Sequence, residues 1–160
     1  MVNKKQIFKD SFNVVKKAED SPFDDYDATI DQKLVGNALR ERLSQVLSLY
    51  STVAKKVAWY THLEKASGLA KKSIKDQAFS ELSKKEEYKS LSITKRNELS
   101  EGYKIKIGNK ETSFYEEGYN ELVLGYHTSI GKSKLREIEK SIDVARSMLS
   151  WDKQAIQGGI

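Results

Sequence analysis

The chain has 160 residues, 38% of them apolar and 32% charged, with one proline, no cysteine, two histidines and a formal net charge of +5. This is the length of one domain with a thin core, and the composition favours long amphipathic helices whose burial is completed by oligomerisation. Without cysteine there is neither a disulfide framework nor a thiolate metal site. No run approaches 18 apolar residues, so no membrane span is expected. The lack of cysteine fits a reducing cytosol, and the opening MVNKKQIFKDSF lacks the apolar core of a secretory signal.

Residues 2–18 fit a short helix with Ile7, Phe8, Phe12, Val14 and Val15 as its apolar set. Residues 19–31, with Pro22 and five aspartates, read as a solvated acidic linker, so 1–28 form an N-terminal segment ahead of a helical domain at 29–160. No calcium-loop spacing is present among those aspartates. Thr29-Ile30-Asp31-Gln32 matches a capping box and predicts a basic helix over 30–82. Its seam is Leu39, Leu43, Val46, Tyr50, Val53, Val57 and Tyr60, a heptad pattern of three repeats. The apolar line then drifts through smaller residues, Leu63, Ala66, Ala70, Ile74, Ala78 and Leu82.

Opposite that line stand Lys65, Lys71, Lys72 and Lys75, a stripe nearly free of acids. The charge is concentrated around it. Basic and acidic residues number eight and eight over 1–50, fourteen and seven over 51–110, and six and eight over 111–160. A clustered basic segment suits a polyanion, and lysine suits phosphate contact more than base reading. Trp59, Tyr60, Phe79 and Tyr88 lie among these lysines, either as packing residues or as platforms for unpaired bases.

A basic connector follows over 83–111. It holds a short helical piece from Thr94, and Tyr103, Ile105 and Ile107 alternate with Lys104 and Lys106 ahead of Gly108-Asn109. Period two predicts an extended segment near 103–108, either paired with another strand, one of a neighbouring subunit included, or rejoining a helix as a loop. The last amphipathic helix is predicted over 112–153, with Leu135, Ile138, Ile142, Ala145, Leu149 and Trp151 as the oligomerisation set. Gly118, Gly125 and Gly131 fall near one side of it, which suits close packing at about 1 kcal/mol each relative to alanine. The expected architecture is all-α, a long helical hairpin of coiled-coil character.

Chemistry is poorly represented. There is no phosphate-binding glycine loop, no G-x-S-x-G and no H-E-x-x-H. His62 and His127 read as structural, and the neighbours Glu86-Glu87 and Glu116-Glu117 point about 100° apart on a helix. An enzyme is not expected, and no cofactor or metal is.

The order of elements carries a resemblance. Asp31-Gln32-Lys33-Leu34 opens a helix that ends in a basic stretch. SITKRNELSEGYKIKIG follows, and a long helix closes with SIDVARSMLSWDKQAIQGG. Over residues 29–158 this resembles the UvsY-like recombination mediators of tailed phages. It departs from them at Lys140-Ser141, where members often carry Arg-Gly, and at Gln154, where an aromatic often follows the tail lysine. The resemblance implies a homo-oligomeric ring in the bacterial host cytoplasm. Such a ring binds single-stranded DNA and helps load a phage recombinase onto DNA coated by single-strand-binding protein. The family's basic helix lands on Lys65, Lys71, Lys72 and Lys75, and the DNA-binding set expected here adds Lys84, Lys85, Lys95 and Arg96. Two other readings stand beside it: a coiled-coil scaffolding protein without nucleic-acid binding, and an adaptor for an acidic protein face.

Overall fold

A computed structural model describes residues 21–158. The segment predicted as a helix over 2–18 lies outside the described residues. The fold is all-α: α1 (Gly36–Leu82), α2 (Glu86–Lys89), α3 (Ile93–Gly102) and α4 (Phe114–Gly158), with two three-residue strands, β1 (Ile105–Ile107) and β2 (Lys110–Thr112), between α3 and α4. The described residues divide into two compact units, one over 60–126 and one comprising 21–59 and 127–158.

In the unit of 21–59 and 127–158, the heptad seam behaves as its spacing dictates. Leu39, Val46, Val53 and Val57 are buried, and Ile138, Ile142 and Ala145 are buried from α4. The helices run antiparallel. The Gly36 N–H donates to Asp152 (3.1 Å), the Tyr50 hydroxyl donates to Glu139 (3.0 Å), and Gly131 lies against Val57, so numbers fall on one helix as they rise on the other.

The seam of the last helix is therefore spent inside the chain. Ile138, Ile142 and Ala145, expected at a subunit interface, are buried within the chain itself, and Leu135 and Leu149 are half-buried. Trp151 alone of that set stands in solvent, 75% exposed. One helix suffices to cover a heptad seam, and the chain supplies that helix itself.

The acidic stretch is not a solvated linker either. Phe23 is 1% exposed and Ala28 is buried. The Lys56 ammonium donates to the Pro22 carbonyl (2.6 Å) and sits 5.5 Å from the Phe23 ring and 5.2 Å from the Tyr26 ring. The Arg42 guanidinium donates to the carbonyls of Asp27 and Thr29. Two cations of α1 thus strap the stretch down.

The predicted capping box at Thr29–Gln32 does not form, and α1 starts at Gly36 rather than near residue 30. Asp27 accepts from the Thr29 N–H and Asp31 from the Lys33 N–H, both at 2.9 Å. These aspartate turns compete with helix initiation. The box that does form is Ser113-x-x-Glu116, at the start of α4. The Ser113 hydroxyl accepts from the Glu116 N–H (3.3 Å) and Glu116 accepts from the Ser113 N–H (3.1 Å).

In the unit of 60–126, Ile74 and Ala78 of α1 meet Ile105, with Tyr103 and Phe114 packed around them. The extended segment pairs within its own chain. β1 lies antiparallel to β2 with Ile107 opposite Lys110, so Gly108-Asn109 is a two-residue loop. Gly108 has φ +60°, the left-handed value that a glycine-first hairpin turn requires. Ile105 points into the core while Lys104 and Lys106 are exposed.

A methyl group added at Gly131 would come within 2.5 Å of Val57 Cγ2 and 2.6 Å of Phe23 Cζ, both on buried side chains. Gly131→Ala should destabilise the protein by about 1–3 kcal/mol, the usual cost of overpacking. Gly158, with open space around it, is the control. Urea denaturation of both variants checks this; an unlowered midpoint for Gly131→Ala would mean that the helices can move apart at no cost.

Candidate nucleic-acid interface

The buried side of α1 in the unit of 60–126 is Ser67, Ile74, Ala78 and Leu82. Ala66, placed on the apolar line by the sequence, is exposed, and Lys71 and Lys75 are half-buried. The packed face is rotated from the apolar line towards these two lysines. The reason is chemical. Glu101 of α3 and Glu121 of α4 face α1 and draw cations to them.

Lys75 donates to Glu101 (2.9 Å), whose side chain is 6% exposed and also accepts from the Tyr115 hydroxyl (3.3 Å). Lys71 pairs with Glu121. Both ammonium groups lie 5.5 Å from the centre of the Phe114 ring. Nearby, the Ser67 hydroxyl donates to Glu117 (2.6 Å). Burial, reinforced by Glu101, raises the Tyr115 phenol above its ordinary range, so it remains a donor at neutral pH.

The expected stripe is therefore split. Lys65 and Lys72 are exposed, as expected of a track, whereas Lys71 and Lys75 are ion-paired within the fold rather than on its wet face. Arg96 is also engaged, donating to the carbonyls of Leu91 (2.8 Å) and Lys89 (3.0 Å). Tyr88 is buried, edge-on to Phe79, with its hydroxyl donating to the Arg96 carbonyl (2.9 Å). It belongs to the core, while Phe79 and Trp59 remain substantially exposed.

The connector carries the larger set of available cations. Lys84, Lys85, Lys95, Lys106 and Lys110 are all exposed. Lys85 sits 5.6 Å from the Tyr103 ring centre. Lys89 and Lys104 pair with Glu86 (2.6 Å) and Glu116 (3.3 Å) at the surface, where such bridges contribute little. Lys106 and Lys110 were not singled out by the sequence pattern. The period-two alternation at 103–107 was the signal that Lys106 points away from Ile105.

Charge balance changes once the fold is known. Residues 60–126 contain twelve lysines and arginines and eleven aspartates and glutamates, because this range leaves out Lys55 and Lys56 and takes in Glu111 of β2 and Glu116, Glu117 and Glu121 of α4. The excess seen over 51–110 is thus largely compensated, and what remains is uneven placement.

His62 is exposed, and burial lowers the half-buried His127 imidazole below its ordinary range. Among the described residues no three His, Asp or Glu side chains gather as metal ligands would, and no helix is long and apolar enough to cross a membrane. No protein-family model, curated protein or solved structure matches the chain.

The two lysine classes should separate in stability measurements. Lys75→Ala removes the ammonium that stands 2.9 Å from the buried Glu101 carboxylate, and should cost about 3 kcal/mol, at the lower end for a broken buried pair. Lys72→Ala should stay within about 0.5 kcal/mol of the parent. Equal denaturation midpoints for the two variants would show that the Lys75–Glu101 pair contributes nothing to the fold.

Proposed function

We propose that the chain is a non-enzymatic, single-stranded-DNA-binding recombination mediator. It would act as a homo-oligomer and help load a recombinase onto DNA coated by single-strand-binding protein. Two observations support this reading: the UvsY-like order of elements over residues 29–158, and the exposed lysines of the connector. The second carries it. Lys84, Lys95, Lys106 and Lys110 have no ion pair among the described residues, and together with Lys65 and Lys72 they offer point charges for a phosphate backbone. The contact set differs from the sequence expectation, because Lys71, Lys75 and Arg96 are occupied within the fold. A few such contacts per subunit are weak, and a ring would multiply them.

A scaffolding protein is the second reading. The near balance of charge over 60–126 favours it, since a surface without a strong net field draws polyanions poorly.

Titration of a labelled single strand at several salt concentrations separates the two. Binding should weaken with salt, with a logarithmic slope of about −0.7 per neutralised phosphate. Changing Lys84, Lys95 and Lys106 together to Ala should flatten that slope by up to roughly 2 for each subunit engaged. Changing Lys55, Lys132 and Lys140, exposed lysines of the other unit, removes the same charge and should do less. Equal effects would mean that net charge alone governs binding. Absence of binding by the parent protein at low salt would give the scaffolding reading the lead.

A further inference from the structure

The buried seam of α4 is not its only apolar line. Val144, Met148 and Trp151, spaced four and three, follow a second line, and Val144 and Trp151 are 45% and 75% exposed. With Leu34 and Val35 they line an open groove of about 810 Å³. The charged residues of its wall are both acidic, Asp143 at one end and Asp152 at the other. They stand nine residues apart on the helix, about 13 Å. The groove therefore fits an apolar segment with a cation at each end.

The chain itself contains such a segment. Residues 4–17 read KKQIFKDSFNVVKK. Phe8, Phe12 and Val15 have the same four–three spacing as the groove residues, and lysine pairs 4–5 and 16–17 bracket them. Intramolecular reach is poor. Phe23 is held at Gly131, twelve residues or about 18 Å along α4 from Asp143, and Ser21–Asp24 closes a turn. The four steps from Lys17 to Ser21 span at most about 14 Å, so a molecule reaches even the near end of its own groove only at full stretch.

We propose that the groove between Val35 and Trp151 receives residues 4–17 of a second copy of this chain. This inference rests on the oligomeric part of the mediator reading. A segment on one surface and a groove on another make a head-to-tail contact, which closes into a ring when the rotation permits; a seam meeting itself would stop at a dimer. Asp143 faces one lysine pair, and the apolar side chains interdigitate between the two acids.

The test uses the full chain and its mass by sedimentation at micromolar concentration. Asp143→Lys should raise the concentration needed for assembly at least tenfold, and Lys16→Glu with Lys17→Glu, or Lys4→Glu with Lys5→Glu, should do the same. Combining Asp143→Lys with one reversed pair, and not with the other, should restore assembly and fix the direction of the segment. Phe8→Ser with Phe12→Ser, which leaves the groove itself unaltered, should also dissociate the protein while its helical circular dichroism is kept. An oligomer indifferent to all these changes overturns the inference but leaves DNA binding untouched. A monomeric parent overturns it too, even one that binds single strands with the expected salt slope. Assembly lost in every variant without rescue by either charge pair overturns the assigned pairing.

Discussion

Glu101 has to be neutralised. A carboxylate that is almost wholly withdrawn from water costs several kcal/mol unless cations and donors surround it. Here Lys75 and Tyr115 do so, and Lys71 pairs with Glu121 alongside. This one requirement rotates the packed face of α1 towards its lysines. It ties the start of α4 to the basic helix, and it divides the lysines into those that hold the fold together and those that stay exposed. Phe114 lies beneath both paired ammonium groups, so the apolar and ionic parts of this core cannot be separated.

Much of the fold was legible in the sequence because it follows from periodicity. The four–three spacing from Leu39 to Tyr60 and from Leu135 to Leu149 predicted two long helices with apolar seams, and Leu39, Val46, Val53, Val57, Ile138, Ile142 and Ala145 of those seams are buried, the other members half-buried. The alternation at Tyr103–Ile107 predicted an extended piece, and β1 is there. Periodicity does not say what a seam meets. Ile138 and Ile142 looked like an interface because nothing in a helical pattern distinguishes a partner within the chain from one outside it. The capping boxes show the same limit in local terms. Thr29-x-x-Gln32 and Ser113-x-x-Glu116 are equivalent as patterns, yet Asp27 and Asp31 divert backbone donors near the first and nothing does so at the second.

The candidate site was legible only as a composition. Counting lysines between 51 and 110 identified the basic region, but the acids that answer Lys71 and Lys75 come from positions 121 and 101, fifty and twenty-six residues away. A stripe judged by its own helix looks solvent-facing when the compensating charge lies on another element. The cations available for phosphate thus shift from the helix to the loops and the hairpin that follow it. There they sit on short elements, so DNA contact would rely on backbone charge rather than on a rigid reading surface.

The hydrogen bond from Gly36 to Asp152 joins the first residue of one long helix to the last turns of the other. Helix beginnings are normally completed by a neighbouring residue in the chain, whereas this one is completed from 116 positions away. Fraying at the two places is therefore a single event. Whatever loosens the closing turns of α4, whether a proteolytic nick or a truncated message, also releases the opening turn of α1, so amide exchange at the two sites should rise and fall together.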